Sequence, residues 1–382
     1  MAPPRVDVSI VTSGHDVADA RLHRQVAALR RAGLTVEVIG LGVPDDAPPG
    51  ALVRTFSRGG RLGRLLLALA APWRARGRVL VALDPDSTAG AYLRRVVAGG
   101  RRLRLVADVH EDYLALLRDR AWARGFGGLA GWAGGCLARL GLALAARADL
   151  TVVADAHLAP RAPRRLVVRN LPDLSMLPAA GAGAPDPRPR AIYVGDLRGS
   201  RGLWSMLEVA RRAPGWRFDL VGPVAAADQA RLEAALAADL ALAGRVRLTG
   251  RLGPERAWRV AEGAWAGLLL LEQTAAFAAA MPSKVYEYLA CGLPVVTTPL
   301  PRPAELVRRT GAGAVALGVA EAAGVLERWA LDPEAYGAVR RAAQAAGSAQ
   351  APPGPQNPDM AAFAARLARL ARPARPAELG RP

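Results

Sequence analysis

Lysine is nearly absent from this chain of 382 residues. Of its 51 basic residues, Lys284 is the only lysine and all the others are arginine. Asparagine and isoleucine are scarce as well, whereas alanine, glycine and proline are abundant, a pattern typical of a coding bias. The formal net charge is nevertheless +18, which favours an anionic partner: a nucleic acid, an anionic membrane surface or a phosphorylated substrate.

Cysteine is nearly as rare. Cys136 and Cys291 stand in unrelated contexts, and no Cys/His spacing typical of a zinc site occurs. The sequence therefore predicts neither a disulfide framework nor a metal site.

Long apolar runs are missing too. The first ten residues, MAPPRVDVSI, have no apolar h-region, so we expect no signal peptide. Arg139 interrupts the longest apolar stretch, which is then too short to span a bilayer. The expectation is a cytoplasmic protein, either soluble or peripherally bound at the inner face of a membrane.

Short apolar runs alternate with helical patterns along the chain, which is typical of parallel sheets covered by helices. The first helix is predicted at about 18–32, with Leu22, Val26 and Leu29 on its apolar face. A stretch rich in Pro, Gly and Ala at 176–190 predicts a linker. Strands are predicted at 6–12, 35–41, 79–84, 103–109, 150–155 and 165–168 before the linker, and at 191–196, 216–222, 246–250, 266–272, 294–299 and 313–317 after it.

This alternation predicts two doubly wound α/β domains in tandem, at 1–175 and 191–350. A last helix is predicted at 359–372, and the tail 373–382 is expected to be disordered. Ligands of such sheets bind beyond the carboxyl ends of the strands, so we expect a site in the cleft between the domains. The apolar stripe of the last helix consists of Met360, Phe363, Leu367 and Leu370.

The segment MPSKVYEYLACGLPVV, residues 281–296, is the most informative motif. Ser283 is predicted to cap a helix whose first turn contains Lys284. A cation is misplaced there unless an anion binds, because the start of a helix already carries partial positive charge. A phosphate would meet exposed N–H groups and a compact ammonium. The alternative is a lysine that survives by chance on a solvated surface.

Glu287 lies one helical turn further along the same segment. A carboxylate at this depth in a helix needs partners, and the two hydroxyls of a ribose can each donate to one of its oxygens. The alternative is an ordinary pairing with Lys284 on an exposed face.

The residues PSKVYEYLACGLPVVTTPLPRPAELV resemble the second-domain signature of glycosyltransferase family 4 and its relatives, which are retaining enzymes of the GT-B fold. Five further segments resemble other parts of that family in the same order. The resemblance covers most of the chain and implies two tandem Rossmann-like domains, an interdomain cleft and a C-terminal crossover helix that packs on the first domain. The five segments are DVADARLHRQVAALRRAGLTVEVIGL, VADVHEDY, VVRNLPD, IYVGDLRGSRGL and VRLTGRLGPERAWRVAEGA.

The resemblance also implies roles for residues of the second domain. Lys284, the Ser283 end of its helix and Arg201 would hold the donor diphosphate, with Arg198 as a nearby substitute. Glu287 would bind the ribose. The base would be held at strand ends by Gly222, Arg251 and Leu252.

In the first domain the resemblance places Gly14 where the donor phosphate or the acceptor approaches closely, and His110 beside the transferred sugar. The alternative for His110 and its neighbours is the start of a helix with Asp112 as its cap. His15 and His23 give weaker signals, and we expect His23 on the solvated side of the first helix.

One position departs from the family pattern. Many members have a second glutamate, eight residues before the ribose glutamate, that contacts the sugar, and this chain has Ala279 there. Glu272 lies further upstream at a strand end and is not its equivalent. The departure leaves open a catalytically inactive protein of the same fold that only binds a nucleotide sugar.

The resemblance implies a retaining hexosyltransferase that moves a sugar from a nucleotide-diphosphate donor to a carbohydrate or lipid-linked acceptor, in the synthesis of cell-surface polysaccharide or glycolipid. It implies no cofactor beyond the donor and no metal. A dehydrogenase is disfavoured because no G-x-G-x-x-G follows a first strand. A nucleic-acid partner is less expected, because the arginines are spread along the chain and no binding motif occurs.

Two segments of the first domain, 61–78 and 118–147, combine arginine with tryptophan and leucine. One interpretation is peripheral contact with an anionic membrane. The other, which we favour from the sequence, is a pair of ordinary helices whose arginine stems cover apolar surface.

Overall fold

The computed structural model describes the chain in six stretches, which fall into two compact units. The first unit contains the described residues within Met1–Arg169 and within Pro358–Pro382, and the second those within Asn170–Asn357. The stretches are 5–57, 59–97, 103–119, 128–178, 184–350 and 357–372.

Parts of three predictions lie outside the described residues. These are the tail at 373–382, residues 179–183 of the predicted linker and residues 120–127 of the second basic segment. Among the residues that are described, no helix combines the length and the apolar character that crossing a bilayer demands.

The first unit is built on a seven-stranded parallel sheet in the order β3-β2-β1-β4-β5-β6-β7. Its strands are β1 (Val8–Asp16), β2 (Val36–Leu41), β3 (Leu52–Phe56), β4 (Val79–Ala82), β5 (Arg104–Val109), β6 (Leu150–Val153) and β7 (Arg165–Val167). Its helices before the linker are α1 (Ala20–Arg31), α2 (Arg61–Arg74), α3 (Pro85–Val97), α4 (Tyr113–Asp119) and α5 (Leu129–Ala145).

The central strands are continuous apolar runs because both faces of the sheet are covered. Val8 and Ile10 of β1 belong to the core on one face, and Val11 belongs to the core on the other. β1 pairs in parallel with β4 from Val8 opposite Val79, and the order of the strands reverses between these two. In open α/β sheets, ligands bind at such a reversal, beyond the carboxyl ends of the strands.

The second unit repeats the design with a six-stranded parallel sheet in the order β10-β9-β8-β11-β12-β13. The strands are β8 (Arg190–Val194), β9 (Arg217–Val221), β10 (Val246–Leu248), β11 (Ala266–Leu269), β12 (Val295–Thr297) and β13 (Gly313–Val315). The helices are α6 (Leu203–Arg212), α7 (Ala226–Ala237), α8 (Leu240–Ala243), α9 (Pro254–Arg259), α10 (Ala275–Ala278), α11 (Ser283–Ala290), α12 (Pro301–Thr310), α13 (Val319–Leu331) and α14 (Pro333–Gln350). Here the reversal lies between β8 and β11.

The predicted α/β class with two doubly wound sheets is confirmed, and twelve of the thirteen strands that the described residues form were predicted. The exception is β3, whose residues are only partly buried. It lies at the edge of its sheet, and its sequence LVRTF has a charged residue at its centre and lacks the continuous apolar run of a central strand.

The last helix, α15 (Pro358–Ala371), returns to the first unit. Met360, Phe363 and Leu367 share one buried core with Leu22 and Val26 of α1. At its start, Asp359 accepts hydrogen bonds from the backbone and the guanidinium of Arg169, at 2.8 to 3.0 Å. The predicted crossover helix is therefore an integral part of the first unit.

Candidate active site

A buried carboxylate organises the carboxyl end of the first sheet. Asp84 follows β4, and its Oδ2 accepts hydrogen bonds from Thr12 Oγ1 at 2.6 Å and from Ser13 N at 3.0 Å. Burial alone would raise the pKa of Asp84, but the charges of His15 and Arg64 outweigh burial and hold the pKa far below its usual range. The carboxylate stays ionised and fixes the end of β1, where the pairing with β2 shifts register.

Gly14, predicted to allow close approach of a ligand, has no room for a side chain. A Cβ at this position would lie 2.8 Å from Asp84 Oδ1 and 3.0 Å from Arg64 Nη2. Gly14 also donates its N–H to Asp84 Oδ2 at 3.2 Å. Beside it lies a cavity of about 570 Å³ whose lining includes Phe56 and Arg74.

His15 and His110 are brought together although they are far apart in sequence. His110 Nε2 lies 3.2 Å from His15 Nε2, and His15 Nδ1 lies 3.1 Å from Asp84 Oδ1. Burial would lower the pKa of His15, but the charge of Asp84 and the hydrogen bond to it raise the pKa to about 10. Burial lowers the pKa of His110, and the charge of His15 lowers it further. At neutral pH a charged His15 therefore donates to a neutral His110.

A second buried carboxylate lies beside His110. Asp108, in β5, accepts hydrogen bonds from Arg21 Nε at 2.9 Å and Arg21 Nη2 at 2.7 Å, and from Gln25 Nε2 at 2.5 Å. His110 Nδ1 lies 3.9 Å from Asp108 Oδ1, which is too far for a direct hydrogen bond. Asp108 therefore acts on His110 through its charge and does not share its proton.

The structure decides two of the open points about these residues. Asp112 Oδ1 accepts hydrogen bonds from two backbone N–H groups of α4, at 3.0 and 3.1 Å, so the predicted helix cap is confirmed alongside the contact between His110 and His15. The prediction that His23 is solvated is wrong. Its side chain is buried, and its Nε2 lies within 3.1 Å of the carbonyl oxygens of Val17 and Asp46.

Lys284 lies in the first turn of α11, and its ammonium reaches the end of β8. A Cβ on Gly195 would lie 2.6 Å from Lys284 Cε and 2.8 Å from Lys284 Nζ. Gly195 has a φ of 143°, in the region that favours glycine. Lys284 Nζ also lies 5.7 Å from the centre of the Tyr193 ring.

The ammonium of Lys284 is poorly compensated. Burial and the neighbouring charge of Arg201 lower its pKa, which Glu287 only partly offsets, to about 8. In the described part of the chain no carboxylate forms an ion pair with Lys284. A partly buried cation without a paired carboxylate is typical of a site that binds an anion.

Three arginines share this edge of the second sheet with Lys284. Arg198 and Arg201 belong to the short 3₁₀ turn after β8, and Arg251 Nη2 lies 3.8 Å from Asp196 Oδ1. Burial would raise the pKa of Asp196, but the charges of the arginines and of Lys284 lower it. Four cations therefore act on the carboxylate of Asp196 at the carboxyl end of β8.

The remaining predicted donor residues lie at the same end of the sheet. Gly222 directly follows β9, and a Cβ there would lie 2.0 Å from the carbonyl oxygen of Gly195. Arg251 and Leu252 follow β10. The structure thus brings together the donor residues that the sequence predicted in the second unit.

The start of α11 differs from the prediction in one respect. Ser283 is the first helical residue and Pro282 occupies the cap position, so the predicted cap role of Ser283 is wrong. Ser283 Oγ instead donates to Glu287 Oε2 at 3.2 Å. Glu287 is buried, which contradicts the alternative of a pairing with Lys284 on an exposed face.

The two positions at which the family pattern is in question lie near this cluster in the chain. Ala279 follows α10, and its carbonyl oxygen accepts a hydrogen bond from Arg302 Nη1 at 3.0 Å. Glu272 donates its N–H to the carbonyl oxygen of Ser200 at 3.1 Å. Its Oε1 lies 3.9 Å from the place that a Cβ on Gly199 would take. A carboxylate therefore does lie beside the turn that follows β8.

Sequence reasoning missed the parts played by Asp84, His15 and Asp196. Asp84 and Asp196 each close a predicted strand, so knowledge of the strand order would have identified them. Within the described residues, no group of three or more His, Cys, Asp or Glu side chains is arranged to hold a metal ion. A separate cavity of about 400 Å³ beside Gly311 and Trp329 contains none of the predicted site residues.

Comparison with protein families gives one match. Residues 188–328 match the family described as Glycosyl transferases group 1. The matched stretch contains the donor residues predicted in the second unit, including Lys284 and Glu287. No protein of curated function matches the sequence.

Solved structures share the fold over almost the whole chain. Sucrose-phosphate synthase from Thermosynechococcus elongatus is 15% identical with a TM-score of 0.69, covering 96% of this chain and 98% of that one. Anabaena Alr3699/HepE in complex with UDP and glucose is 16% identical with a TM-score of 0.67, covering 95% and 99%. WaaG, a glycosyltransferase involved in lipopolysaccharide biosynthesis, is 14% identical with a TM-score of 0.64, covering 95% and 99%. The GT-B fold and the resemblance to glycosyltransferases are confirmed.

Proposed function

We propose that this chain is a retaining hexosyltransferase that uses a nucleotide-diphosphate sugar. It has the GT-B fold, and its residues 188–328 match the group 1 glycosyltransferases. The observation that carries the proposal is the poorly compensated Lys284 at the start of α11, beside Arg198, Arg201 and Arg251. Four cations and the N–H groups of a helix start form a site for a diphosphate.

The chemistry follows from where charge develops. The bond between the sugar carbon and the diphosphate oxygen breaks, and the electron pair leaves with the nucleotide diphosphate. A hydroxyl oxygen of the acceptor forms the new bond to the sugar, and its proton passes to the leaving diphosphate or to water. Lys284 and Arg201 stabilise the charge that grows on the leaving group, so the chain's own cations do the work that a metal ion does elsewhere.

Glu287 is placed to recognise the ribose. Its carboxylate is buried one turn into α11, and Ser283 already donates to one of its oxygens. Two ribose hydroxyls would complete its hydrogen bonds. HepE has been solved with UDP-glucose, so a UDP-sugar is the first donor to test.

We assign the first unit to the acceptor and to the transferred sugar. His110, neutral beside a charged His15, would contact the sugar, and Gly14 would let a ligand approach the end of β1. The acceptor we propose is a carbohydrate or a lipid-linked carbohydrate, in the cytoplasmic synthesis of cell-surface polysaccharide or glycolipid. No cofactor beyond the donor is needed for this chemistry.

A second candidate function rests on Ala279. Many relatives of this fold have a glutamate at this position that contacts the sugar, whereas this chain has no carboxylate there. The carbonyl oxygen of Ala279 accepts a hydrogen bond from Arg302. A protein that binds a nucleotide sugar without transferring it fits this observation.

The test is a thermal-shift panel of UDP-, GDP-, ADP- and dTDP-sugars, followed by turnover of the sugar that shifts the melting temperature most. A bound donor raises the melting temperature by mass action. Binding together with release of nucleotide diphosphate supports the transferase. Binding without any turnover, with a range of carbohydrate acceptors, supports the second candidate. A larger shift with RNA than with every sugar nucleotide would reject both.

A further inference from the structure

The solvent-facing side of α2 is apolar, although the solvent-facing side of a surface helix is normally polar. Its solvent-facing residues repeat at spacings of three and four, so they form one stripe along the helix. The inner side, which includes Leu67 and Ala71, already packs on the sheet. The exposed stripe consists of Leu62, Leu65, Leu66, Leu69 and Trp73.

α5 also exposes apolar side chains to solvent. Arg139 is the only charged residue among its 17 positions, so the helix is apolar nearly all round. Leu129 and Trp132 are 68% and 69% exposed, and Leu137 and Leu140 are also exposed. A helix of this composition is normally buried inside a protein or in contact with lipid.

α3 lies between these two helices and makes their stripes part of one face. A Cβ on Gly90 of α3 would lie 2.2 Å from the carbonyl oxygen of Ala68 on α2. A Cβ on Gly141 of α5 would lie 2.6 Å from Pro85 Cβ at the start of α3. The close packing leaves the far end of α3 exposed, with Leu93, Val96 and Val97.

The concentration of apolar surface is not a random scatter. Of 17 large apolar side chains that are exposed among the described residues, five lie on α2, three on α3 and four on α5. Single exposed leucines need no explanation, but a contiguous patch of this size marks an interaction surface. The arginine stems leave these side chains in solvent, contrary to the expectation from the sequence.

The charges around the face identify the partner. The sequences of the three helices contain six arginines, and their one carboxylate, Asp86, is buried and paired with Arg64. Arg139 is exposed among the leucines of α5, and Arg74 is exposed at the end of α2, where it also lines the cavity beside Gly14. Leucine and tryptophan combined with arginine, without exposed acid, is the composition of helices that lie in the headgroup region of anionic bilayers.

We propose that the face formed by α2, α3 and α5 docks on the surface of an anionic phospholipid bilayer, with Leu62, Leu129 and Trp132 inserted between the headgroups. A second copy of the chain fits less well, because each copy has a net charge of +18 and pairing this face with itself would oppose its arginines. The docking does not depend on the transferase activity.

The chain provides its own reporter for the test. Cys136 is exposed within the apolar stripe of α5, whereas burial raises the pKa of Cys291 to about 12, so Cys136 should be labelled much faster. A polarity-sensitive fluorophore on Cys136 should shift to shorter wavelength when vesicles of equal parts phosphatidylglycerol and phosphatidylcholine are added. Vesicles of phosphatidylcholine alone should give a much smaller shift.

Matched variants then locate the contact. The triple variant Leu62→Ser, Leu129→Ser and Trp132→Ser should lose vesicle binding by roughly tenfold or more in a flotation assay, because each change removes inserted apolar area. The control, Leu240→Ser, Leu317→Ser and Leu331→Ser, changes leucines of the second unit that are 76–81% exposed, and it should bind like the wild type.

Two outcomes would overturn the proposal. One is equal vesicle binding by both triple variants at the same melting temperature. The other is a fluorophore shift that follows protein concentration in the absence of vesicles, which would assign the face to a second copy. Neither measurement uses a sugar donor, so failure of the proposed transferase activity would leave both results interpretable.

Discussion

His15 and His110 lie with their Nε2 atoms 3.2 Å apart, and Asp84 holds the other nitrogen of His15. Two imidazoles at this distance share one proton, and the carboxylate decides that it belongs to His15. His110 therefore stays neutral. The relationship converts two histidines that looked independent in the sequence into one unit.

The first prediction concerns the pH dependence of stability that this unit creates. The pKa of His15 rises from 6.5 to about 10 on folding, so its contribution to stability is complete below pH 6.5 and is lost as the pH approaches 10. The difference in melting temperature between the wild type and His15→Gln should therefore be largest near pH 6 and should shrink steadily towards pH 10. A difference that stays constant over this range would show that the ion pair with Asp84 does not set the protonation of His15.

Replacement of Lys284 tests the diphosphate site. Lys284→Ala should reduce turnover about 100- to 1,000-fold, because it removes a donor aimed at charge that develops in the transition state. Its melting temperature should not fall, since burial already disfavours the charged form. Arg259→Ala, which removes an exposed cation of the same unit, is the control. Near-normal turnover of Lys284→Ala would remove Lys284 from the site.

Replacement of Glu287 tests ribose recognition. Glu287→Gln keeps the shape of the side chain but removes its charge, and it should weaken binding of the free nucleotide diphosphate by about 1.5–3 kcal/mol. Isothermal titration calorimetry with UDP measures the loss. Glu262→Gln, on the exposed surface of the same unit, should bind like the wild type. An unchanged affinity of Glu287→Gln would return Glu287 to a structural role.

Replacement of His110 separates transfer from donor binding. His110 belongs to the first unit, away in sequence from the residues assigned to the nucleotide, so His110→Ala should reduce the transfer rate much more than the affinity for the donor. His157→Ala removes an exposed histidine of the same unit that pairs with Asp155, and it should leave both quantities unchanged. Equal losses of transfer and donor affinity in His110→Ala would argue against a place beside the reacting sugar.

The last helix gives a prediction about stability. Phe363→Ala empties a fully buried position in the core shared with α1 and should lower the free energy of unfolding of the first unit by about 3–5 kcal/mol. Denaturant unfolding followed by circular dichroism measures the loss. Arg366→Ala, on the exposed side of α15, is the control. A loss no larger than that of the control would mean that α15 is only loosely attached.

The sequence predicted the strands and helices better than the contacts between them. Continuous apolar strands such as 79–84 are recognisable because burial on both faces leaves no polar alternation, and Lys284 was found because a cation at a helix start contradicts the helix dipole. The edge strand β3 was missed because it is only partly buried. His23 was misplaced for a related reason: its partners are backbone carbonyls of Val17 and Asp46, which no pattern of side chains reveals.

The contact between Asp84 and His15 could not be predicted for a different reason. It depends on β4 lying next to β1, which is a property of strand order and not of either segment. The exposure of the leucines of α2 and α5 could not be predicted from the sequence either. Their spacing predicts a helix with an apolar face, but not which way that face points.

The path of the chain also has a practical consequence for dissecting the protein. The second unit is encoded by one uninterrupted stretch of gene, Asn170–Asn357, whereas the first is split around it. A clone that stops before Pro358 would encode a first unit without the phenylalanine and methionine that fill its interior. Fragments of this protein should therefore be made by deletion of the middle, with the two flanks rejoined, and not by trimming from the end.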